Sequence, residues 1–325
     1  MRVLVTGGSG FIGNYLVREL LEEHYSVKVM SRQLDDSTSA RISLVQGDLL
    51  DPETLTDVVR DVDIVFHNAA HAADFGPKEK FFAVNVEGTR NLMNACRVAG
   101  VKRIVYTSSA GVYGFPNTRE LIVETSPTNP MNPYQLSKLE AERLLLQAHD
   151  LHISIIRPPL VLGATGHATH LLMRRLQSQS LPYFGSGNTY ISIAHPGDVA
   201  RCMRLAAEHD NQGEVFNVVS FTCSIRYLFT SLATALEIEP PHRSLPYSLA
   251  YVYALLSELL TVLIGCNPQL TRFRVKSFGT DRMISAQKAR DVLGFSPEYD
   301  VSSTVADMVS WYRSVPLTSE YQDYS

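Results

Sequence analysis

The chain reads as an α/β protein built on a doubly wound parallel sheet, with a smaller, mostly helical C-terminal part. Three observations predict this. An opening strand runs into a glycine turn and then a helical pattern, short β-branched runs alternate with helical patterns through the first 165 residues, and that rhythm loosens beyond them. At 325 residues the chain is long enough to bury a full core, in one large or two coupled domains.

The strand at residues 3–5 ends in Thr6-Gly7-Gly8-Ser9-Gly10-Phe11-Ile12-Gly13, and residues 14–22 follow with helical periodicity. Gly7 permits a tight turn, Gly10 lets backbone approach a pyrophosphate, and Gly13 lets the helix pack closely on the strand. The helix start leaves unpaired N–H groups aimed at phosphate, which makes this turn the place for a dinucleotide. Further strands are expected at 27–30, 42–46, 64–67, 104–108 and 153–156, separated by helices that include 86–99 and 134–148. Past residue 165, Pro182, Gly185, Gly187, Pro196, Pro240, Pro241 and Pro246 punctuate the chain. This organisation predicts a dinucleotide-binding domain over 1–165 and a substrate domain over 166–325, with strands at 191–193 and 215–218 returning to the main sheet. The residues after Trp311 read as a frayed tail.

Composition narrows the function classes. The net charge is −4 and 19% of residues are charged, with no basic stripe, so a nucleic-acid partner has no electrostatic footprint. Cys96, Cys202, Cys223 and Cys266 are widely spaced, which suits isolated thiols in a reducing compartment. Only Val3, Leu4 and Val5 separate Arg2 from the glycine turn, too few for the apolar region of a secretory signal. A cytoplasmic protein is expected.

Tyr134 and Lys138 are four apart on a helix introduced by Pro130 and Pro133, so both side chains face the same way. A free phenol titrates near pH ~10, and a neighbouring ammonium is expected to lower that value by favouring the phenolate. Ser109 follows the strand ending at Ser108, at the carboxyl edge of the sheet where open α/β folds place ligands. The three form a candidate acid/base site for proton exchange with a substrate oxygen.

The glycine turn is joined by Gly47-Asp48-Leu49, His67-Asn68-Ala69-Ala70, Asn85-Val86-Glu87-Gly88-Thr89, Tyr106-Thr107-Ser108-Ser109, Tyr134-Gln135-Leu136-Ser137-Lys138 and Arg157-Pro158-Pro159. In this order, over most of residues 1–165, the chain resembles the extended short-chain dehydrogenase/reductase family. The resemblance implies a Rossmann fold and a site in which Tyr134 is the general acid/base, Lys138 also holds the nicotinamide ribose and Ser109 orients the substrate, with Ser108 as the adjacent alternative. It implies a cofactor site formed by Gly7, Gly10, Phe11, Ile12, Gly13, Arg32, Asp48, Leu49, Ala69, Ala70, Asn85, Ser108, Tyr134, Lys138 and Pro158. By analogy it also implies a homodimer through the helices at 86–99 and 134–148.

Cofactor choice turns on the end of the second strand, where a carboxylate would accept from the ribose hydroxyl of NAD and an arginine would meet the 2′-phosphate of NADP. The chain has Ser31-Arg32 there, which predicts NADP(H). Asp35 and Asp36 just beyond keep NAD(H) as the alternative.

Two branches of the family compete for the substrate. Nucleotide-sugar epimerases and dehydratases usually hold a diphosphate with an asparagine after the Arg-Pro segment and an Arg-Asp pair before a His-Val-Asp-Asp-Val run. Those places read Leu160 and Ile191-Ser192 here, although His195 and Asp198-Val199-Ala200 remain. A diphosphate needs charge-assisted partners, so their loss argues against it. Phe75-Gly76-Pro77, the 268–272 and 288–297 segments and Val309-Ser310-Trp311-Tyr312 are similar to the branch of 3β-hydroxysteroid dehydrogenases, sterol carboxylate dehydrogenases and reductases of lipid-like β-keto acids. That branch implies an apolar substrate.

The apolar stretch 247–264, interrupted by Glu258, is expected to be a buried or lid helix over the pocket. Peripheral membrane contact and a membrane span are the alternatives, and Glu258 opposes the span. His67 with His71 and His167 with His170 have helical spacing but lack a clustered third ligand, so no metal is expected. Tyr15, Tyr106, Tyr113 and Tyr190 read as packing residues. The expected function is hydride transfer between NADP(H) and a secondary alcohol or ketone of an apolar substrate.

Overall fold

The computed structural model describes residues 1–32, 42–210, 212–264 and 267–315. Asp35, Asp36, Cys266 and the last ten residues of the chain lie outside them. From the N-terminus the chain runs β1 (Arg2–Thr6), α1 (Phe11–Glu22), β2 (Ser26–Ser31), β3 (Ile42–Gln46), α2 (Pro52–Val58), β4 (Ile64–His67), α3 (Lys78–Phe82), a π-helical turn (Ala83–Glu87), α4 (Gly88–Ala99) and β5 (Arg103–Thr107). A 3-10 turn (Ala110–Tyr113), β6 (Thr118–Ile122), α5 (Pro133–Leu146), β7 (His152–Arg157), β8 (Leu160–Val161), α6 (His167–Gln177), β9 (Tyr183–Phe184) and β10 (Tyr190–Ala194) follow. The remainder is α7 (Pro196–Glu208), β11 (Glu214–Asn217), β12 (Phe221–Ser224), α8 (Ile225–Leu236), β13 (Ser244–Leu245), α9 (Tyr247–Ile264), α10 (Arg272–Gly279), β14 (Arg282–Ile284), α11 (Gln287–Leu293) and α12 (Val301–Ser314).

The main sheet has the order β11-β7-β5-β4-β1-β2-β3, and every neighbouring pair is parallel. Its central strands are buried on both faces, which is why they read as continuous Val/Ile/Leu runs rather than as an alternation. One face packs against Leu16, Val17 and Leu20 of α1 and Val199, Met203 and Ala206 of α7. The other packs against Leu55 and Val58 of α2, Leu92 and Met93 of α4, and Ala141 and Leu145 of α5. Helices on both faces complete the doubly wound Rossmann architecture.

A second sheet has the order β12-β10-β14-β6, with β8 on β10. Here the expectation for 191–193 is corrected. β11 does join the main sheet, but β10 pairs antiparallel with β12 and parallel with β14 and β8 in the second one. The pattern Ile191-Ser192-Ile193 is that of a strand in either sheet, so sequence alone assigned the strand but not its partners. The C-terminal expectation is corrected for residues 312–314, which α12 carries as helix from a capping box between Asp300 and Ser303; the rest of the expected tail, from 316 on, lies outside the described residues.

α9 buries Ala250 and Ala254 against Phe184 and Val275, and Glu258 accepts hydrogen bonds from the backbone N and Nε of Arg272 on α10, both at 2.7 Å. Its opposite side presents Leu249, Val252, Tyr253, Leu256, Leu259 and Leu260, each at least 50% exposed. Among the described residues no helix is long and apolar enough to cross a membrane.

Candidate active site

The site residues anticipated from sequence follow the carboxyl ends of β1, β2, β3, β4, β5 and β7, or sit on the helices beside them. Gly7 adopts φ +68°, and a Cβ there would meet the backbone of Ala69 at 2.8 Å. At Gly13 a Cβ would fall 2.0 Å from the Gly7 carbonyl oxygen. α1 begins at Phe11 with Gly10 as its cap and no side-chain hydrogen bond to the first turn. The Phe11 and Ile12 N–H groups therefore face the turn without an intrahelical acceptor. This cradle of close backbone and open donors fits a pyrophosphate.

At the far end of the cradle, Arg32, Gln46, Gly47, Asp48, Asp51 and Thr54 line a cleft of about 310 Å³. The Asp48 carboxylate accepts from the Leu50 backbone N–H at 2.9 Å, and Leu49 is buried beside Gly88.

A buried polar chain ties the strand ends together. The Ala69 N–H donates to Thr6 Oγ1 (3.1 Å), Thr6 Oγ1 and His67 Nδ1 lie 2.8 Å apart, His67 Nε2 and Thr89 Oγ1 lie 2.9 Å apart, and Thr89 Oγ1 donates to the Asn85 carbonyl at 2.7 Å. With its proton committed to Asn85, Thr89 can only accept from His67, which fixes the proton on Nε2 and leaves Nδ1 to accept from Thr6. Burial pushes the His67 pKa down to about 3, so the ring is neutral, as this chain requires. The Asn85 side chain, in the π-helical turn where only regular helix was expected, accepts from the His71 N–H (2.8 Å) and donates to the His71 carbonyl (3.0 Å) and Ser137 Oγ (2.9 Å). π-Helical turns often mark functional sites.

Ser109 and Tyr134 lie beside one another just past β5, and Lys138, one turn along α5, reaches the carbonyl of Thr107, the last residue of β5. Asn132 caps α5 by accepting from the Gln135 N–H at 2.9 Å, and Pro133 opens the helix. Ser109 Oγ accepts from the Gly111 N–H at 3.0 Å and lies close enough to the Tyr134 phenol to pull its pKa down. Of the two adjacent serines it is therefore Ser109 that lies beside the tyrosine, while Ser108 Oγ is buried without a hydrogen-bond partner among the described residues. Lys138 is 2% exposed. Its ammonium donates to the Thr107 carbonyl at 2.8 Å and lies 4.7 Å from the Tyr106 ring centroid.

The expected lowering of the Tyr134 pKa is not observed. Burial pushes the phenol up to about 12, with Ser109 pulling it down and Asp74 adding to the rise. Burial also pulls the Lys138 ammonium down to about 7. Desolvation disfavours the charged form of both groups, and spacing along a helix carries no information about it.

Sequence reasoning missed Asp74, Arg274 and the aromatic wall beside them. Arg274 Nε donates to Asp74 Oδ2 at 2.5 Å, Asn132 donates to the Asp74 carbonyl at 3.3 Å, and the Phe115 and Phe273 rings pack edge to face at 5.6 Å. Phe75-Gly76-Pro77 drew attention to this loop, but no local signal linked it to residue 274. Other conspicuous residues are packing groups: His195 caps α7 and contacts Asp307 Oδ2 at 3.1 Å, while Arg157 forms a buried pair with Glu142 and donates to the Tyr113 hydroxyl at 2.8 Å.

Residues 3–219 match the model of the NAD dependent epimerase/dehydratase family. The chain belongs to that family. It is an NAD(P)-dependent enzyme of the extended short-chain dehydrogenase/reductase type. The Mus musculus sterol-4-alpha-carboxylate 3-dehydrogenase, decarboxylating, is 30% identical over 327 residues, covering 95% of this chain and 90% of that one. The 2-alkyl-3-oxoalkanoate reductase of Stenotrophomonas maltophilia is 28% identical over 317 residues, covering 93% and 96%. Among solved structures, MoeE5 in complex with UDP-glucuronic acid and NAD is 26% identical with a TM-score of 0.77, covering 96% of this chain and 99% of that one.

Proposed function

We propose that this family member is a cytoplasmic NADP(H)-dependent oxidoreductase acting on a secondary alcohol or ketone of an apolar, steroid-, lipid- or β-keto-acid-like substrate. The observation that carries the reading is the contact of Ser109 with Tyr134, with buried Lys138 one helical turn along, beside a glycine cradle that fits a dinucleotide. The nicotinamide, when bound, supplies or accepts the hydride. Ser109 and Tyr134 hydrogen-bond the reacting oxygen, and Tyr134, held protonated by burial, donates its proton to that oxygen in the reductive direction. Lys138 anchors the nicotinamide ribose. Gly7, Gly10, Phe11, Ile12, Gly13, Ala69, Ala70, Asn85, Ser108 and Pro158 form the rest of the dinucleotide site, with Asp48 and Leu49 at the adenine and Arg32 at the 2′-phosphate. Residues 1–165, with the returning α7 and β11, act as the nucleotide domain, and the rest of 166–325 as the substrate domain.

Against a nucleotide-sugar substrate, Ile191 belongs to the apolar core, and the Ser192 hydroxyl is engaged with Thr222 Oγ1 and the Ile284 N–H, both at 2.8 Å. Neither is available to a diphosphate. The outward row of α9 rests on a membrane surface as a peripheral contact, and two copies associate through α4 and α5.

Calorimetry of the purified protein with NADPH, NADH and UDP-glucose tests the reading, after a check for copurified cofactor. Tight NADPH binding with no response to UDP-glucose is the expected result. Retained NAD together with UDP-glucose binding would replace it with a nucleotide-sugar epimerase or dehydratase.

A further inference from the structure

Arg282, at the start of β14, is 6% exposed and has no ion-pair partner among the described residues. The other deeply set arginines do have one: Arg157 pairs with Glu142, Arg201 with Asp198, and Arg204 with Glu19 and Glu208. The adjacent carboxylate, Asp281, is turned instead to Arg119 and to the Tyr190 N–H. Burial pulls the Arg282 guanidinium down to about 10, so it is still charged at neutral pH. A buried charge is normally paired, and one left alone is costly.

The position of this cation is informative. Ile284, two residues on and buried like Arg282, packs with Ala110, Val112 and Tyr113, the turn that follows Ser109. The guanidinium lies 4.8 Å from the centroid of Phe115, which packs against Phe273. The next residue of α10, Arg274, holds Asp74, whose charge reaches Tyr134. Arg175 on α6 is half-buried and lies close enough to Arg274 for the two like charges to oppose each other. Cations and apolar rings thus gather near the turn that follows Ser109.

We propose that Arg282 is a specificity-determining residue that receives the carboxylate of an acidic substrate whose apolar body lies along Phe115 and Phe273. A planar guanidinium matches one carboxylate in a two-point fork, and the carboxylate supplies the counter-charge that the protein does not. The proposal rests on the oxidoreductase reading and narrows its steroid-, lipid- or β-keto-acid-like substrates to those that carry a carboxylate, with Arg282 as its receiver.

The test compares binding of decanoate and methyl decanoate to the NADP-loaded protein, in the wild type, Arg282→Met and Arg282→Lys, alongside turnover of 3-hydroxydecanoate and its methyl ester. In the wild type the acid is preferred over the ester. In Arg282→Met that preference should fall roughly tenfold to hundredfold, the size of a charge-assisted hydrogen bond, with part of it restored in Arg282→Lys, which keeps the charge and loses the fork. An acid preference of equal size in the wild type and Arg282→Met overturns the proposal. Turnover of acid and ester alike by the wild type sinks the Arg282 assignment and leaves the oxidoreductase reading standing. UDP-glucose binding that is lost in Arg282→Met would put a diphosphate at this cation and overturn both.

Discussion

The glycine-turn side of the cleft is tied by Thr6, His67, Ala69, Thr89 and Asn85, all within the first 90 residues and joined in one chain of hydrogen bonds. The opposite side depends on pairs far apart in the chain, such as Asp74 with Arg274 and Phe115 with Phe273. The first side uses a repeated local unit whose turns demand particular residues at fixed offsets, so it carries motifs. The second is assembled by tertiary packing, which fixes distances but leaves no local pattern. Cofactor handling and substrate choice should therefore respond separately to substitution.

Tyr134→Phe gives the largest separation, because the phenol stands where the two sides meet. Losing the proton donor should lower turnover by roughly two to four orders of magnitude, while the NADPH Kd moves far less. Steady-state kinetics with a calorimetric titration measure both. Retained turnover would remove Tyr134 from the chemistry, and an equal loss of NADPH affinity would mean that the two sides are not separable.

Gly13→Ala attacks the cofactor side alone. A methyl group 2.0 Å from the Gly7 carbonyl oxygen can be accommodated only if backbone moves. Overpacking of this kind costs about 1–3 kcal/mol, which predicts NADPH binding weaker by roughly tenfold to hundredfold. Unchanged NADPH affinity would break the reading of this turn as the cradle.

Lys138→Met asks what the catalytic side costs the fold. The ammonium is buried, and its pKa is lowered to about 7 from 10.5. Between those values the unfolded chain holds a proton that the folded chain does not, so stability rises with pH across the window. The penalty of burying Lys138 is full below about pH 7 and is gone above 10.5. The methionine variant should therefore melt higher than the wild type at pH 6, with the gain shrinking by pH 10, even as turnover falls. A melting difference of equal size at both pH values would show that charge is not its cause.

How much could be read from the sequence follows from the same contrast. The parallel sheet, the glycine turn and the placing of Ser109, Tyr134 and Lys138 near the carboxyl end of β5 were legible, because β-branched runs and the i, i+4 spacing translate directly into geometry. The partners of β10 were not, since an Ile-x-Ile strand can pair in either sheet. The direction of the Tyr134 pKa was also hidden, because desolvation depends on what surrounds a helix. Arg282 looks in the sequence like any arginine beside an aspartate, and only the fold shows Asp281 turned away.

Arg32→Asp is expected to have the smallest effect and is the sharpest question about the cofactor side. Arg32 is exposed at the end of β2, so solvent screens each of its contacts and the expected change is about tenfold, or roughly 1.4 kcal/mol. Its cleft also holds Asp48 and Asp51, two carboxylates that oppose a 2′-phosphate and suit a ribose hydroxyl. If Arg32 outweighs them, the aspartate variant raises the NADPH KM about tenfold and lowers that for NADH. If neither constant moves, the carboxylates govern the cleft, the arginine is a solvated surface residue, and NAD(H) becomes the cofactor of choice.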